Sequence, residues 1–362
     1  MSAAYVYILE QFKHFAPHLH VARDPQMHGK RDFIYCRARS NPLSFAGAVL
    51  ILLLTQAALC MAAESHHSST NRAAISADPS IEIGDSHLRI DLEGAAPDLP
   101  KVTIEQHIRE AAQAVAVYYG HFPVPSARIV VNVSPGQNGM LQGTTWGDVG
   151  GFPAVTRLRM GQHTTEQQLS RDWVATHELV HMSLASLPDA QHWLEEGVAT
   201  YVEPIARVQA GQLTPERIWG DMVAGMHNGE PRAGDRGLDR THTWGRTYWG
   251  GALFCLVADI EIRKQTGNAS GLQDALRAIV AAGGTIDKDW PISRILTIGD
   301  RATGTSVLQD LYTSWSTAPV AVDLQDLWQQ LGVRVENGTV MLNDTAPLAR
   351  FRVGITAPPH NK

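Results

Sequence analysis

The sequence predicts an α+β protein with a small mixed β-sheet, a pair of helices and a mostly α-helical lobe, in that order along the chain. Three observations predict this class. Short apolar segments of the strand type surround one long amphipathic helix in residues 81–161. Two helical segments that carry His and Glu follow in residues 164–208. The rest of the chain shows mainly the apolar spacing of helices.

The composition is that of an ordinary globular protein. The 362 residues are 44% hydrophobic and 18% charged, enough to bury a sizeable core. The formal net charge of −6, with no cluster of Lys and Arg, argues against a nucleic-acid partner. Of the three cysteines, only Cys255 lies beyond the N-terminal leader, in an apolar run, where a buried and inert thiol is expected.

A leader is predicted at the N-terminus. Residues 43–63 are apolar and uncharged, and Arg37 and Arg39 lie just before them. This pattern is typical of a secretory signal peptide cleaved near residue 62, and the run is also just long enough for an uncleaved membrane anchor. Both interpretations place the following residues outside the cytoplasm. We therefore expect an exported protein that is periplasmic or secreted, with a membrane anchor as the alternative to cleavage.

The predicted domain organisation follows from these patterns. Residues 1–63 form the leader, and residues 64–80 form a linker rich in Ser, Ala and His. Residues 81–210 form an α/β lobe that includes the two polar helices, and residues 211–362 form a helical lobe that ends in a β-hairpin. Because Met27 also begins a basic segment before the apolar run, either Met1 or Met27 could be the true start.

The α/β lobe contains recognisable elements in a definite order. The segment "IEIGDSHLRIDLEG" predicts one or two strands. A helix begins near Thr103, where Thr103 and Gln106 suit a capping box, and it is followed by the strand "ARIVVNVS". The Gly-rich residues 136–151 then lead into a further strand, "AVTRLRMG".

The polar helices follow. Thr164 and Gln167 suit a second capping box, and a helical face is then formed by apolar residues at helical spacing: Leu169, Trp173, Val180 and Leu184. Pro188 and Asp189 break the chain, and a second helix is predicted from about residue 190 to residue 208.

Two histidines on the first of these helices predict a metal site. His177 and His181 are four residues apart, so both imidazoles project from one face and can bind one Zn²⁺. Glu178 is placed to act as the general base for a water molecule that the metal activates. The competing interpretation is a chance pair of histidines in a helix interior, bonded to backbone or water.

A catalytic zinc ion needs a third protein ligand and an open position. Glu196 lies fifteen residues after His181 on the second helix, which the tight break places beside the first. A carboxylate on such a helix can reach the metal. His192 and Glu195 are rival third ligands on the same helix.

The segment "HELVH…HWLEEGVATYVE" resembles the gluzincin metallopeptidases, specifically the aminopeptidase N and glycyl aminopeptidase branch, in which the second helix reads W-L-x-E-G-x-A-x-Y. The resemblance implies a thermolysin-like zincin fold, one Zn²⁺ ion and the hydrolysis of peptide bonds. It selects Glu196, directly before Gly197, as the third ligand. It places Glu195 at a variable position, where the side chain is expected to be solvated.

A second segment extends this resemblance. The residues "YWGGALFCLVADIEIRKQTGNASGLQDALRAI" resemble the glycyl aminopeptidase segment in which a tyrosine precedes G-A-L by three residues. The resemblance implies that Tyr248 donates a hydrogen bond to the oxyanion, which is sound chemistry for a phenol near developing negative charge. The alternative is that Tyr248, beside Trp244 and Trp249, is only a core or groove aromatic.

One departure from that family affects specificity. The aminopeptidases carry a glutamate on the strand before the zinc helix, which holds the free amine of the substrate. Here that strand reads "GGFPAVTRLRM" and has no acid. Arg157 and Arg159 lie there as surface charges of an edge strand or as contacts to an acidic substrate. Both terminal trimming and internal cleavage therefore stay open.

The sequence thus predicts an exported zinc metallopeptidase that acts on peptides or proteins, and it carries no signal for an oligomeric state. One alternative is a catalytically inactive zincin-fold protein of the cell envelope that binds or scaffolds. Another is a membrane-anchored structural protein with incidental histidines. An edge strand of the sheet is expected to bind an extended peptide by backbone pairing.

Overall fold

The computed structural model of the protein describes residues 80–358. The predicted leader and residues 64–79 of the predicted linker lie outside the described residues. Within residues 80–358, no helix has the length and the apolar character needed to cross a membrane.

A five-stranded mixed sheet forms the first part of the described chain. Its elements are β1 (Ser80–Ile83), β2 (Ser86–Gly94), helix α1 (Lys101–Tyr119), β3 (Ser126–Ser134), β4 (Met140–Val149) and β5 (Phe152–Gly161). The strand order is β1-β2-β3-β5-β4. The pairs β2–β3 and β3–β5 are parallel, whereas β1–β2 and β4–β5 are antiparallel. The predicted mixed sheet is therefore confirmed, with β4 at one edge.

Helix α1 packs an apolar face against the core, as its sequence predicts. Ile104, Ile108 and Val115 are buried at helical spacing. The helix begins earlier than predicted, at Lys101, because Pro100 fixes the preceding backbone and its carbonyl accepts from the Thr103 N–H at 3.0 Å. Thr103 therefore lies inside the first turn, and the predicted capping box is absent.

Strand β4 was not predicted, because its sequence is rich in glycine. Gly150 and Gly151 have positive φ angles of 60° and 83° and form the turn that joins β4 to β5. The antiparallel pairing of these strands places β5 between β3 and β4. The expectation that Arg157 and Arg159 lie on an edge strand is therefore wrong, because both residues belong to an inner strand.

The predicted motif helix is divided into two short helices, α2 (Glu166–Leu169) and α3 (Val174–Val180). The capping box lies one residue later than predicted, at Thr165 and Gln168. Asp172 separates the helices, because its carboxylate accepts from the backbone N–H groups of Val174 and Ala175 at 2.9 and 3.1 Å. Trp173 was predicted to face inward, but it is 38% exposed at this break.

The second polar helix, α4 (His192–Gln209), is confirmed. The rest of the described chain is mostly helical, as predicted. It contains α5 (Pro215–Gly225), a π-helical turn (Gly245–Gly250), α6 (Gly251–Gln265), α7 (Leu272–Ala281), α8 (Ile292–Thr303), α9 (Val307–Trp315), α10 (Leu324–Leu331), strands β6 (Val333–Glu336) and β7 (Thr339–Leu342), and α11 (Ala349–Thr356). The boundary between lobes at residues 210 and 211 stays a prediction.

The predicted hairpin near the C-terminus is confirmed. Strands β6 and β7 are antiparallel, and both turn residues, Asn337 and Gly338, have positive φ angles of 49° and 79°. Helix α11 follows the hairpin, so the hairpin does not end the chain. Cys255 on α6 is buried, and burial raises the pKa of its thiol, in agreement with an inert role.

Candidate metal centre

Two histidines and one glutamate form a cluster between α3 and α4. One ligand atom from each of His177, His181 and Glu196 lies within 4.8 Å of the others. Oε2 of Glu196 is 3.2 Å from Nε2 of His177 and 3.5 Å from Nε2 of His181. His181 begins a 3₁₀ turn (His181–Ser183), but its helical backbone angles keep both imidazoles on one side. The three predicted ligands therefore come together.

Electrostatic interactions within the cluster shift the pKa of Glu196 and of His181. Burial alone would raise the pKa of Glu196, yet the neighbouring imidazole of His181 and the hydrogen bonds from the histidines hold it well below its usual range. Burial would lower the pKa of His181, but the Glu196 carboxylate raises it. The carboxylate of Glu196 and the imidazole of His181 therefore stabilise each other's charged form.

The donor atoms fit a zinc ion. Two imidazoles and one carboxylate are a donor set of catalytic zinc sites. Tetrahedral bonds of about 2.0–2.1 Å place two ligand atoms about 3.3 Å apart. The separations of 3.2 and 3.5 Å between Glu196 Oε2 and the histidine nitrogens match this value. With three protein ligands, a tetrahedral site keeps one position for a small molecule.

Glu178 lies beside this cluster and is held by the edge strand. Oε2 of Glu178 accepts a hydrogen bond from the Thr145 hydroxyl at 2.8 Å, and the same hydroxyl is 2.9 Å from the Glu178 carbonyl oxygen. Burial raises the pKa of the Glu178 carboxyl, and the neighbouring imidazoles of His181 and His177 partly oppose that shift. A carboxylate with a raised pKa beside a metal site is suited to accept a proton.

Strand β4 approaches Glu178 closely because of a glycine. A Cβ atom added to Gly143 would lie 2.2 Å from Cγ of Glu178. Gly143 and Thr145 were not among the predicted site residues, because substrate contacts were expected on the strand that is now β5. The available signal was the Gly150-Gly151 pair, which predicts a hairpin and hence a strand before β5.

Helices α4 and α6 meet at a pair of glycines. A Cβ atom on Gly197 would lie 2.4 Å from the backbone of Gly251, so only glycine allows this approach. A hydrogen bond of 2.9 Å from the Tyr201 hydroxyl to Asp259 joins the same two helices. Gly197 follows the candidate ligand Glu196, so this contact fixes the turn of α4 that carries Glu196 against the start of α6.

This contact places Tyr248 next to the cluster. The rings of Tyr248 and His177 stack with centroids 6.2 Å apart and an interplanar angle of 21°. Tyr248 lies in the π-helical turn before α6, a geometry often found at functional sites. Trp244 stacks on Tyr248 at 6.3 Å, and Trp173 packs edge-on against His177 at 5.3 Å. These four rings form an aromatic row at the metal cluster.

The two rival ligands have other partners. Nδ1 of His192 is 2.7 Å from Oε2 of Glu195, and Oε1 of Glu195 accepts from the Leu187 N–H at 2.9 Å. The expectation that Glu195 is solvated is therefore wrong, because its side chain is only 19% exposed and bonded at both oxygens. Neither residue joins the group of possible metal ligands found within residues 80–358.

The solved structures to which this chain is similar include an aminopeptidase N family protein and M1 zinc metallopeptidases. An aminopeptidase N family protein from Idiomarina loihiensis aligns with a TM-score of 0.52 and 14% identity over 72% of this chain and 51% of that chain. An M1 zinc metallopeptidase from Deinococcus radiodurans aligns with a TM-score of 0.44 and 20% identity over 68% and 52% of the two chains. A two-domain M1 zinc metallopeptidase bound to L-arginine gives a TM-score of 0.46 and 18% identity over the same shares.

The match to the Idiomarina loihiensis protein confirms the predicted resemblance at the level of the fold. The chain spans about half the length of the solved structures it matches. No family model matches the sequence, and neither does any curated protein.

Proposed function

We propose that the protein is an exported zinc-dependent metallopeptidase that hydrolyses peptide bonds. The observation that carries the proposal is the buried cluster of His177, His181 and Glu196, whose donor atoms have the separations of zinc ligands. In this proposal the three residues bind one Zn²⁺ ion. The apolar residues 43–63 would direct export, with cleavage or anchoring as the two outcomes.

The residues around the cluster have distinct roles in the proposed reaction. Bound zinc would supply a Lewis acid that activates water and polarises the peptide carbonyl. Glu178 would accept the proton of the attacking water and pass it to the leaving amine. Thr145 would orient the carboxylate of Glu178 through its hydrogen bond. Tyr248 would donate a hydrogen bond to the oxygen on which negative charge develops.

Strand β4 is the proposed substrate-binding edge. It pairs with β5 on one side only in the described sheet and lies against Glu178 through Gly143 and Thr145. An extended peptide can add to such an edge by backbone hydrogen bonds. Residues 140–147 of β4 and residues 150–161 contain no acid that would hold a free amino terminus, and Asp148 lies at the end of β4 beside the turn. This favours internal cleavage over the trimming of terminal residues.

A peptide library tests this proposal. We would load the purified protein with zinc, incubate it with mixed peptides and identify the product ends by mass spectrometry. Glu178→Gln is the matched control, because it keeps the side-chain shape and the zinc ligands but removes the base. We expect cleavage by the wild type only, and the product ends would distinguish internal cleavage from trimming.

The second candidate function is a catalytically inactive zincin-fold protein that binds or scaffolds. The observation that favours it is the absence of an acid from residues 150–160, the strand before the candidate zinc helix, where the aminopeptidases carry a glutamate that holds the substrate amine. A folded wild-type protein that binds zinc but cleaves no peptide in the library would support this candidate and contradict the proposed peptidase.

A further inference from the structure

The two carboxylate oxygens of Glu196 have different neighbours. Oε2 faces the two histidines of the cluster, 3.2 Å from His177 and 3.5 Å from His181. Oε1 lies 3.3 Å from Nε2 of His192. A carboxylate can bind zinc through one oxygen or through both, so a side chain that engages Oε1 favours binding through Oε2 alone.

His192 is itself fixed from its other side. Its Nδ1 atom is 2.7 Å from Oε2 of Glu195, and Oε1 of Glu195 accepts from the backbone N–H of Leu187 at 2.9 Å. His192, Glu195 and Glu196 lie in the first turns of α4, where residues three and four apart are neighbours. A continuous set of contacts therefore runs from the segment between α3 and α4 to the carboxylate of the candidate ligand.

We infer that His192, held by Glu195, is a positioning residue that orients Glu196 so that only Oε2 faces the metal. The inference rests on the proposed zinc site. Residues that orient metal ligands raise metal affinity by fixing the ligand before the metal arrives, and their loss typically costs about 10–100-fold in affinity. Binding through one oxygen also keeps a coordination position free for water and the peptide carbonyl.

The geometry separates this role from that of a ligand. Both ring nitrogens of His192 lie within 3.3 Å of carboxylate oxygens of Glu195 and Glu196. His192 does not belong to the group of donor atoms that lie within 4.8 Å of one another in residues 80–358. His192 therefore contacts Oε1 of Glu196, whereas the two cluster histidines contact Oε2.

The test measures the zinc affinity of the full chain by competition with a chelating dye. We compare the wild type with His192→Ala, with His192→Gln, which keeps an N–H donor near the position of Nε2, and with His177→Ala. The matched control is His87→Ala, since His87 is also paired with a glutamate, at 2.6 Å from Glu82, but lies outside the cluster. Thermal unfolding of each metal-free protein reports any purely structural effect.

We expect His192→Ala to weaken zinc binding by about 10–100-fold and His177→Ala to weaken it more strongly. We expect His192→Gln to recover most of the affinity and His87→Ala to keep all of it. The metal-free melting temperature of His192→Gln should stay near that of the wild type. In the cobalt-substituted protein, His192→Ala should change the visible absorption spectrum, because the coordination by Glu196 changes.

Three results would overturn the inference. The first is wild-type zinc affinity in His192→Ala. The second is a loss in His192→Ala as large as in His177→Ala with no recovery in His192→Gln, because His192 would then be a ligand. The third is a loss of zinc affinity in His192→Ala that is matched by a fall in the melting temperature of the metal-free protein, because the effect would then be structural. A wild type that binds no zinc would instead contradict the proposed function.

Discussion

The Thr145 hydroxyl on the edge strand lies 2.8 Å from Oε2 of Glu178 on the adjacent helix. This contact joins the sheet to the candidate catalytic carboxylate. The hydroxyl of Thr156 lies 2.9 Å from that of Thr145 and supports it from the neighbouring strand. The position of Glu178 is thus determined by the register of β4 and β5 as well as by helix α3.

The first prediction concerns this hydrogen bond. Thr145→Val removes the hydroxyl and keeps the side-chain shape, so we expect kcat/KM for peptide cleavage to fall by about tenfold, the equivalent of one hydrogen bond. Burial raises the pKa of Glu178, and the bond from Thr145 lowers it. The base must be ionised, so the acidic limb of the pH profile should move to higher pH in the variant.

Thr144→Val is the control, because the Thr144 hydroxyl donates to the backbone oxygen of Gly143 and not to Glu178. It should keep the pH profile of the wild type. An unchanged acidic limb in Thr145→Val would contradict the role assigned to Thr145.

The second prediction concerns the glycine contact between α4 and α6. In Gly197→Ala the new Cβ would meet the backbone of Gly251, so one helix must shift. We expect a loss of about 1–3 kcal/mol in unfolding free energy, measured by urea denaturation. Because the shift separates Tyr248 from the metal cluster, kcat should also fall. Gly299→Ala on α8 is the control. Its new Cβ would also crowd neighbouring side chains, but kcat should stay unchanged.

The third prediction concerns the pH dependence of metal binding. In the metal-free protein, burial would lower the pKa of His181, but the Glu196 carboxylate raises it, so the proton competes with zinc through the neutral range. Zinc affinity should therefore fall as the pH falls, by about tenfold per pH unit for each proton displaced. Isothermal titration calorimetry in buffers of different ionisation enthalpy measures the released protons. Equal affinity at about pH 6 and about pH 8 would refute this coupling.

The ligand set was predictable from sequence because its spacing is local. His177 and His181 are one helical turn apart, and the resemblance around Gly197 selected Glu196 from three candidates. The surroundings of Glu178 were not predictable in the same way. Thr145 reaches Glu178 only through the pairing of β4 with β5. The glycines that allow the close approach are also untypical of strands, so the sequence of β4 does not predict a strand. Likewise, the contacts of Glu195 depend on the path of residues 181–191, which no periodicity encodes.

The fourth prediction concerns the exposed indole rings of the aromatic row. Trp244 is 45% exposed and stacks on Tyr248. An exposed indole beside the candidate site can pack against an aromatic side chain of the substrate. Such a ring contact stabilises the complex by about 0.5–1.5 kcal/mol. We expect Trp244→Ala to raise KM several-fold for peptides with an aromatic residue next to the cleaved bond, and less for alanine peptides. Met341→Ala, at an exposed apolar side chain on β7, should change neither value.

The fifth prediction separates the two interpretations of Tyr248. Its ring stacks on that of His177, a contact that phenylalanine retains, so Tyr248→Phe removes only the hydroxyl group. If the phenol stabilises the developing oxyanion, kcat should fall by about 10²–10³-fold while KM and zinc affinity stay near their wild-type values. Steady-state kinetics with a single fluorogenic peptide, together with the chelator competition, measure all three quantities.

Tyr312→Phe is the control, because the Tyr312 hydroxyl donates to Asp239 at 2.7 Å in a separate contact. Wild-type kcat in Tyr248→Phe would show that Tyr248 is only a packing aromatic, and the oxyanion would then need another donor.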